Sequence, residues 1–425
     1  MPVPSITAQP VGSNSAGLES RSVSAARRLL ERFALIVFGL YHLPLFLNNY
    51  PTLGGGGFGQ DGVAVRWGHV FTAPGMWIAR HVFQITGPMA QGSAGDNFDV
   101  SEEYARLLLC VGVGVAGAIA WTIADRRRQS REWTESALRI LLRYSIALGL
   151  TSYAVAKLFP QQFPPITASV LEGRVGDLAP MSLLWTFMQY SRAYAFFGGL
   201  VELIAVVLLC YRSTATLGAL VCLAAMTNVA LLNYAYGVPI KLYATMMVLS
   251  ATVLVLYDWR RLLEVFVRNR AVDASGESTV VQDLVPTSWR HAIKLVVVGS
   301  VMLSSAVAMA PTLRPIRASA VEGTWSVSAA SPSILWRRMT VDVFGVTIYT
   351  SGDSLLRCRR TPAVDATALS LQCVEGHRGE LRSTREGDTL HIEGTFDGAP
   401  VSVTATYVDR ASYRLLKTPF RWIFD

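Results

Sequence analysis

The chain has 425 residues, of which 51% are apolar and 16% are charged, and its formal net charge is +8. This balance excludes an ordinary soluble globular protein, because so few charged side chains cannot cover the apolar ones in water. The positive charge does not indicate a nucleic-acid partner, since the sequence has no Gly-rich phosphate loop, no zinc-finger spacing and no basic strip interleaved with aromatic residues.

Seven stretches are apolar and long enough to cross a bilayer, which takes about 20 residues in a helix. They lie at roughly 29–47, 104–124, 138–159, 182–211, 215–235, 238–257 and 293–310. We therefore predict an α-helical polytopic membrane protein, with a transmembrane bundle over residues 29–258 and a seventh span at 293–310. Residues 1–28, rich in Ser and Ala, are predicted to be a disordered cytosolic tail.

The distribution of basic residues between the spans predicts the orientation of the chain. Arginines cluster before the first span, after the second and between the sixth and seventh, whereas loops 48–103 and 160–181 contain few. Because basic loops stay in the cytoplasm, we expect the N-terminus inside a bacterial inner (cytoplasmic) membrane and the C-terminal region in the periplasm. Residues 259–292 are predicted to form an amphipathic helix and a linker at the cytosolic surface.

Residues 311–425 differ in pattern from the rest of the chain and predict a periplasmic all-β domain, either a barrel or a sandwich. Segments such as Val401–Tyr407 alternate with period two, and turn signals such as Gly387-Asp388 separate them. Cys358 and Cys373 both fall in this exported region, in strand-like runs, so we predict a cross-strand disulfide between them.

Ionisable side chains inside a span are costly, so each needs a partner or a water-lined cavity. Counted at about 1.5 Å per residue, Arg143 lies about 7 Å from the cytoplasmic end of its span and Glu202 about 14 Å. An arginine side chain can bridge that difference. We therefore predict an Arg143–Glu202 ion pair that holds two helices in register.

A second set of polar residues is predicted to lie in the outer half of the bundle. The set is Lys157, Tyr153, Lys241, Asn228, Asn233, Tyr194 and His42. Together they predict a polar, cationic cavity that faces the periplasm and suits an anion, a phenol or a quinone headgroup. In the alternative, the two lysines extend to the outer lipid headgroups. We predict no metal, because no cluster has a metal-ligand spacing, and no haem, because His42 is the only histidine inside a span.

The block from Leu142 to about Leu263 resembles the DoxX-like family of bacterial membrane proteins. The matching residues are Leu142-Arg143, Tyr153-Ala-Val-Ala-Lys157-Leu-Phe, Gly198-Gly-Leu-Val-Glu202, Thr216-Leu-Gly-Ala-Leu220 and Lys241. The resemblance implies a four-helix core at about 138–263, in a long form with two spans before the core and a β domain after it. The family's name implies a link to thiosulfate:quinone oxidoreductase, in which a DoxX-like subunit works in the membrane with a quinone.

Three functions stay open at this point. The first is an envelope ligand-binding or scaffold protein. The second is a quinone-linked oxidoreductase subunit in which Lys157, Tyr153 and Lys241 hold a quinone or an oxyanion. The third is a small-anion transporter, although the paired repeats and broken helices of such proteins are missing. Whether the chain is an enzyme is left open, and its expected partners are the lipid bilayer and a further membrane or periplasmic subunit.

Overall fold

The computed structural model describes most of the chain, in segments. These are residues 13–48, 63–82, 84, 99, 101–125, 130–159, 161–273, 280–286, 289–292, 295–296, 298–300, 302–303, 321–331, 335–342, 345–352, 354–361 and 368–417. The chain divides into two compact units, Met1–Gln162 with Ala193–Ala310, and Phe163–Arg192 with Pro311–Asp425. We call them the helical unit and the barrel unit.

The helices are named in chain order. They are α1 (Ser13–Asn48), α2 (Val63–His81), α3 (Ser101–Ala124), α4 (Ser130–Leu158), α5 (Ala168–Glu172), α6 (Pro180–Tyr190), α7 (Arg192–Cys210), α8 (Ala215–Ala235), α9 (Lys241–Tyr257), α10 (Trp259–Phe266) and α11 (Arg414–Lys417). The first four and α7 to α10 belong to the helical unit, and the others belong to the barrel unit.

Several helices of the helical unit are apolar enough to cross a membrane. Among the described residues, three helices reach the necessary length and hydropathy, at Glu103–Ala124, Arg192–Cys210 and Arg212–Ala235. The pair α9 and α10, bent by 71° at its break, raises that number to four if it is one span. Of the seventh predicted span, residues 295–296, 298–300 and 302–303 are described, and they are helical.

The fourth predicted span, residues 182–211, is shorter in the structure than we expected. The helix is broken at Ser191, whose φ of −115° and ψ of 97° are extended rather than helical. The polar pair Ser191-Arg192 interrupts the apolar run at this point. Residues before the break form α6 in the barrel unit, and only α7 remains as a candidate span.

Two other segments are more helical than predicted. The expected disordered tail is part of α1 from Ser13 onward, and residues 1–12 lie outside the described chain. The segment 48–103, predicted as a loop, contains α2. The sequence did not predict this helix because Pro74 lies inside it. α2 packs on α3 at Gly75, where a Cβ would be in ordinary van der Waals contact with Ala105 Cβ at 3.5 Å.

The core of the helical unit is formed by side chains of α1, α4, α7, α8 and α9. Its largest buried members include Leu142, Ile146, Leu150, Leu209 and Met247. Close helix contacts depend on small residues at defined positions. A Cβ on Gly149 of α4 would lie 2.2 Å from the hydroxyl of Tyr243 on α9, so only glycine allows this contact.

The C-terminal domain is a closed antiparallel barrel, which decides between the two expected architectures. Its strands are β1 (Gly323–Ala330), β2 (Trp336–Asp342), β3 (Gly345–Thr350), β4 (Leu355–Thr361), β5 (Ala368–Cys373), β6 (Arg378–Glu386), β7 (Thr389–Phe396) and β8 (Ala399–Val408). Each strand pairs with the next, and β8 pairs with β1 to close the barrel.

The interior of the barrel is filled by apolar side chains, as is usual for barrels of eight strands. Trp325, Ile348, Leu390 and Ile392 are each fully buried. Cys358 on β4 lies directly opposite Cys373 on β5, and the two form the predicted disulfide.

Candidate functional site

Lys157 and Glu202 form a buried ion pair between α4 and α7. The Nζ of Lys157 lies 2.5 Å from Oε1 of Glu202, and the two side chains are only 9% and 4% exposed. Gly199 allows the helices to come this close, because a Cβ there would lie 2.9 Å from the Cβ of Lys157. Glu202 follows Gly199 by about one helical turn and therefore shares its face of α7.

The predicted pair between Arg143 and Glu202 is wrong. Glu202 binds Lys157 instead, and Nε of Arg143 donates a hydrogen bond to the carbonyl oxygen of Leu209 at 2.9 Å. Leu209 lies about two helical turns beyond Glu202. The close approach at Gly199 fixes the register of the two helices, and that register places Arg143 level with the end of α7.

Two tyrosines complete what we call the Lys157–Glu202 cluster, which consists of Lys157, Glu202, Tyr153 and Tyr243. The ring centroid of Tyr153 lies 6.0 Å from the Lys157 ammonium and 5.6 Å from the ring of Tyr243, on which it stacks. Oε2 of Glu202 is buried and has no hydrogen-bond partner among the described residues. This oxygen keeps its capacity to accept a hydrogen bond, but it is closed to solvent as long as α4 and α7 stay in contact.

Lys241, the other lysine of the predicted site, is also paired with a carboxylate. Its Nζ lies 3.2 Å from Oδ2 of Asp99. The same carboxylate accepts hydrogen bonds from the backbone N–H groups of Lys241 and Leu242, both at 2.8 Å, and so caps the start of α9. Because a carboxylate neutralises each lysine, the predicted cationic character of this region is wrong.

His42 lies on α1 and packs against α9. Its side chain is fully buried, and Nε2 lies 3.1 Å from the hydroxyl of Ser250. The imidazole also stacks on Phe38 at a centroid distance of 5.9 Å. These contacts make His42 part of the interface between the two helices.

The other residues of the predicted cavity are separated in the structure. Asn233 is buried and donates to the carbonyl oxygen of Ile240 at 3.4 Å, within the turn between α8 and α9. Asn228 is exposed, and Tyr194 is 49% exposed. Of the seven predicted residues, the structure brings Lys157 and Tyr153 into one cluster, while Asn228 and Tyr194 lie on the surface of the helical unit.

A second polar cluster, which sequence reasoning missed, joins α5 to the barrel within the barrel unit. Both carboxylate oxygens of Glu172 lie 2.7 Å from Nη1 of Arg338 on β2, and the side chain of Glu172 is 7% exposed. The hydroxyl of Tyr413 donates to the same carboxylate. Burial, together with this hydrogen bond, raises the pKa of Tyr413 to about 12, so its hydroxyl stays protonated and remains a donor.

Further hydrogen bonds extend the contact between the segment 163–172 and the barrel. The hydroxyl of Ser169 donates to Oδ2 of Asp342 at 2.6 Å, and the hydroxyl of Tyr349 donates to the carbonyl oxygen of Ser169 at 3.2 Å. Arg410 donates to the carbonyl oxygen of Ile166 at 2.5 Å. We call this set, with Glu172, Arg338 and Tyr413, the α5 dock.

Comparisons with known proteins add little to this geometry. No protein-family model matches the chain, and no solved structure matches it. A segment of 144 residues, 34% of this chain, is 28% identical to the uncharacterized protein YwoB of Bacillus subtilis and covers 91% of that protein. YwoB is itself uncharacterized, so the similarity carries no activity over to this chain. Among the described residues, no three His, Cys, Asp or Glu side chains are placed to hold a metal ion.

Proposed function

We propose that the protein is a DoxX-like inner-membrane protein with seven transmembrane helices, which holds its β-barrel in the periplasm as an envelope scaffold or ligand-binding protein. The α5 dock is the observation that carries this proposal. The segment 163–192 joins α4 to α7, and it contacts the barrel through Glu172 and Arg338. The barrel and this segment therefore have to lie on the same side of the membrane.

This requirement supports a crossing at residues 293–310. Between the segment 163–192 and the barrel, the chain runs through α7, α8, α9 and the apolar residues 293–310. Four crossings return the chain to the side it left, whereas three would separate the barrel from the segment that it contacts. The loop 160–181 is poor in Lys and Arg, which favours the periplasm as the shared side.

The DoxX-like part of the proposal is supported by contacts between its motifs. Lys157 comes from one motif, and Gly199 and Glu202 come from another. In the structure these residues meet, since Lys157 bonds Glu202 and Gly199 packs against the Cβ of Lys157. Two motifs that carry the DoxX-like resemblance, although more than 40 residues apart in the sequence, therefore meet in one contact.

A scaffold role also fits the filled interior of the barrel. Trp325 and Met339 are among the side chains that occupy it, so the inside holds protein rather than a ligand. The α5 dock fixes the barrel to the loop between two membrane helices. The outer surface of the barrel is then the part that we propose for contact with a further envelope protein.

Reporter fusions and cross-linking test this topology. We expect a reporter that is active only outside the cytoplasm to be active after Asp425 and inactive after Asp273. In intact membranes, the pair Ser169→Cys and Asp342→Cys should cross-link, because the two native side chains are 2.6 Å apart. The matched control replaces Asp342→Cys by Glu393→Cys. Glu393 lies on β7, a strand that does not pair with β2. An active reporter after Asp273, or equal cross-linking by both pairs, would contradict the proposal.

The second candidate, a quinone-linked oxidoreductase subunit, is favoured by the Lys157–Glu202 cluster. Oε2 of Glu202 is buried without a partner among the described residues, beside an ammonium and a phenol ring. If the contact between α4 and α7 opens to admit a headgroup, a quinol hydroxyl could donate to this oxygen and Lys157 could donate to a quinone carbonyl. Electrons would then come from another subunit.

Mass spectrometry of small molecules that copurify in mild detergent tests this second candidate. We expect a quinone in the wild type and none in the double variant Lys157→Met/Glu202→Leu, which removes both charges together. Asn228→Leu is the matched control, because Asn228 belongs to the predicted cavity but lies on the surface in the structure. Absence of a quinone from the wild type, or equal amounts in all three proteins, would exclude the candidate.

A further inference from the structure

Helix α6 carries a row of large apolar side chains that are exposed. Leu183, Phe187 and Tyr190 are 43%, 57% and 46% exposed. They follow one another at spacings of four and three residues, so they lie on one face of the helix. The helix also contains no charged residue. An exposed apolar face of this kind marks a contact with a partner or with a membrane.

The other side of α6 is packed against protein. Leu184 is buried, and the ring of Trp185 packs edge-on against Phe163 at a centroid distance of 5.4 Å. Phe163 is itself buried, and both rings belong to the barrel unit. These contacts hold one side of the helix, which leaves Leu183 and Phe187 on the side that faces outward.

The position of α6 in the chain places its end at a membrane surface. Only Ser191 separates it from α7, which is a candidate span. The extended backbone at Ser191 ends α6, so α6 does not have to continue in the direction of α7. Side chains around the break also suit lipid headgroups, since Tyr190, Arg192 and Tyr194 are all exposed. Tyrosine rings and the ends of arginine side chains are typical of this level of a membrane.

We propose that α6 lies along the membrane surface and inserts Leu183, Phe187 and Tyr190 between the lipid headgroups and the acyl chains. Helices that bind a membrane in this way bury their apolar face by about 5–10 Å. Because α6 has no charged residue, its contact depends on apolar area and does not require an acidic lipid. The barrel unit, to which α6 belongs, then has a lipid contact of its own. This inference rests on the proposed crossing of the membrane by α7, and it is independent of the side on which the barrel lies.

Fluorescence quenching by spin-labelled lipids tests the proposal. Leu183→Cys and Phe187→Cys are made separately in the full-length protein, and each new thiol is labelled with a nitrobenzoxadiazole fluorophore. The labelled proteins are reconstituted in phosphatidylcholine vesicles, in which some lipids carry a nitroxide either close to the headgroup or deep in the acyl chain. The native free thiols of Cys110, Cys210 and Cys222 are buried, and labelling of the unsubstituted protein measures their background.

We expect the shallow nitroxide to reduce the fluorescence at both positions of α6 by about half, and to act more strongly than the deep one. The two positions should respond alike, because a helix in the plane of the membrane holds them at one depth. A helix that continued α7 outward would place Leu183 about 6 Å farther from the membrane than Phe187. Val374→Cys is the matched control and should not be quenched. Val374 is apolar and 84% exposed, and it lies at the end of the barrel opposite Asp342.

Leu200→Cys distinguishes a failure of this inference from a failure of the crossing on which it rests. Leu200 is 39% exposed near the middle of α7, so the deep nitroxide should quench a label there. Quenching at Leu200 but not at Leu183 and Phe187 would overturn the proposal for α6 and leave α7 in the membrane. No quenching at any of the three would refute both. Equal quenching at Val374 would also overturn the proposal, and Tyr190→Cys replaces an α6 variant that does not insert.

Discussion

Lys157→Met should destabilise the helical unit by about 3–5 kcal/mol, the usual cost of removing one partner of a buried ion pair. The cost comes from Glu202, whose carboxylate would stay buried without a countercharge. Both side chains of the native pair are nearly inaccessible to water, at 9% and 4% exposed. Water cannot replace the lost ammonium without opening the contact between α4 and α7. Glu202→Leu should have a similar cost, because Lys157 would then be left unpaired.

The double variant Lys157→Met/Glu202→Leu should recover most of that loss. Replacing a buried ion pair by apolar side chains of similar volume is often neutral or stabilising by about 1–4 kcal/mol. Unfolding in mixed micelles, followed by the helical circular dichroism signal, measures all four proteins of the cycle. Lys241→Met is the control for a more exposed pair, since Lys241 is 24% exposed, and its effect should be smaller. Two single losses that simply add in the double variant would refute the pairing.

Removal of the disulfide should weaken the barrel by about 3 kcal/mol, the loop-entropy value for a closed loop of about 15 residues. Cys358 and Cys373 are 15 residues apart in sequence and pair directly across β4 and β5. Both side chains are buried in the barrel core. The variant Cys358→Ala/Cys373→Ala therefore opens the closed loop of the unfolded chain, which gains conformational entropy, and also leaves small cavities in the folded barrel.

Protease resistance of the barrel in the full-length protein measures this loss. The double cysteine variant should be cleaved within the barrel faster than the wild type, and wild type treated with reductant should approach the same rate. Cys222→Ala removes a buried free thiol from the helical unit and should leave barrel cleavage unchanged. Labelling of Cys358 and Cys373 by a thiol reagent without reductant would show that the bond does not form.

Sequence patterns predicted the parts of the fold that depend on local periodicity. Apolar runs located α3, α7, α8 and α9 because a helix that crosses a membrane has to be apolar along its whole length. Period-two alternation located the strands of the C-terminal domain, since one face of each strand points into the barrel. The disulfide followed from two cysteines in adjacent strand-like runs.

The choice of partners could not be read from the sequence, because it depends on how closely distant segments approach. The estimated depths of the residues in the membrane favoured Arg143 as the partner of Glu202. The close approach of the helices at Gly199 instead sets a register that places Lys157 beside Glu202. Glu172 carried no local signal for its role, since Arg338 lies 166 residues later in the chain. Closed barrels and sandwiches have the same alternation, so only the pairing of β1 with β8 distinguishes them.

The pairing of the first strand with the last makes the barrel sensitive to truncation. β1 and β7 both depend on β8 for their second neighbour, so a chain that ends before Ala399 leaves two unpaired strand edges. Such edges are templates for pairing with other chains. A nonsense mutation or a proteolytic cut that removes β8 would therefore convert a protected domain into one prone to aggregation. Because β8 is the last of the eight strands to be synthesised, the barrel that the α5 dock contacts is complete only after the helical unit and the other seven strands have left the ribosome.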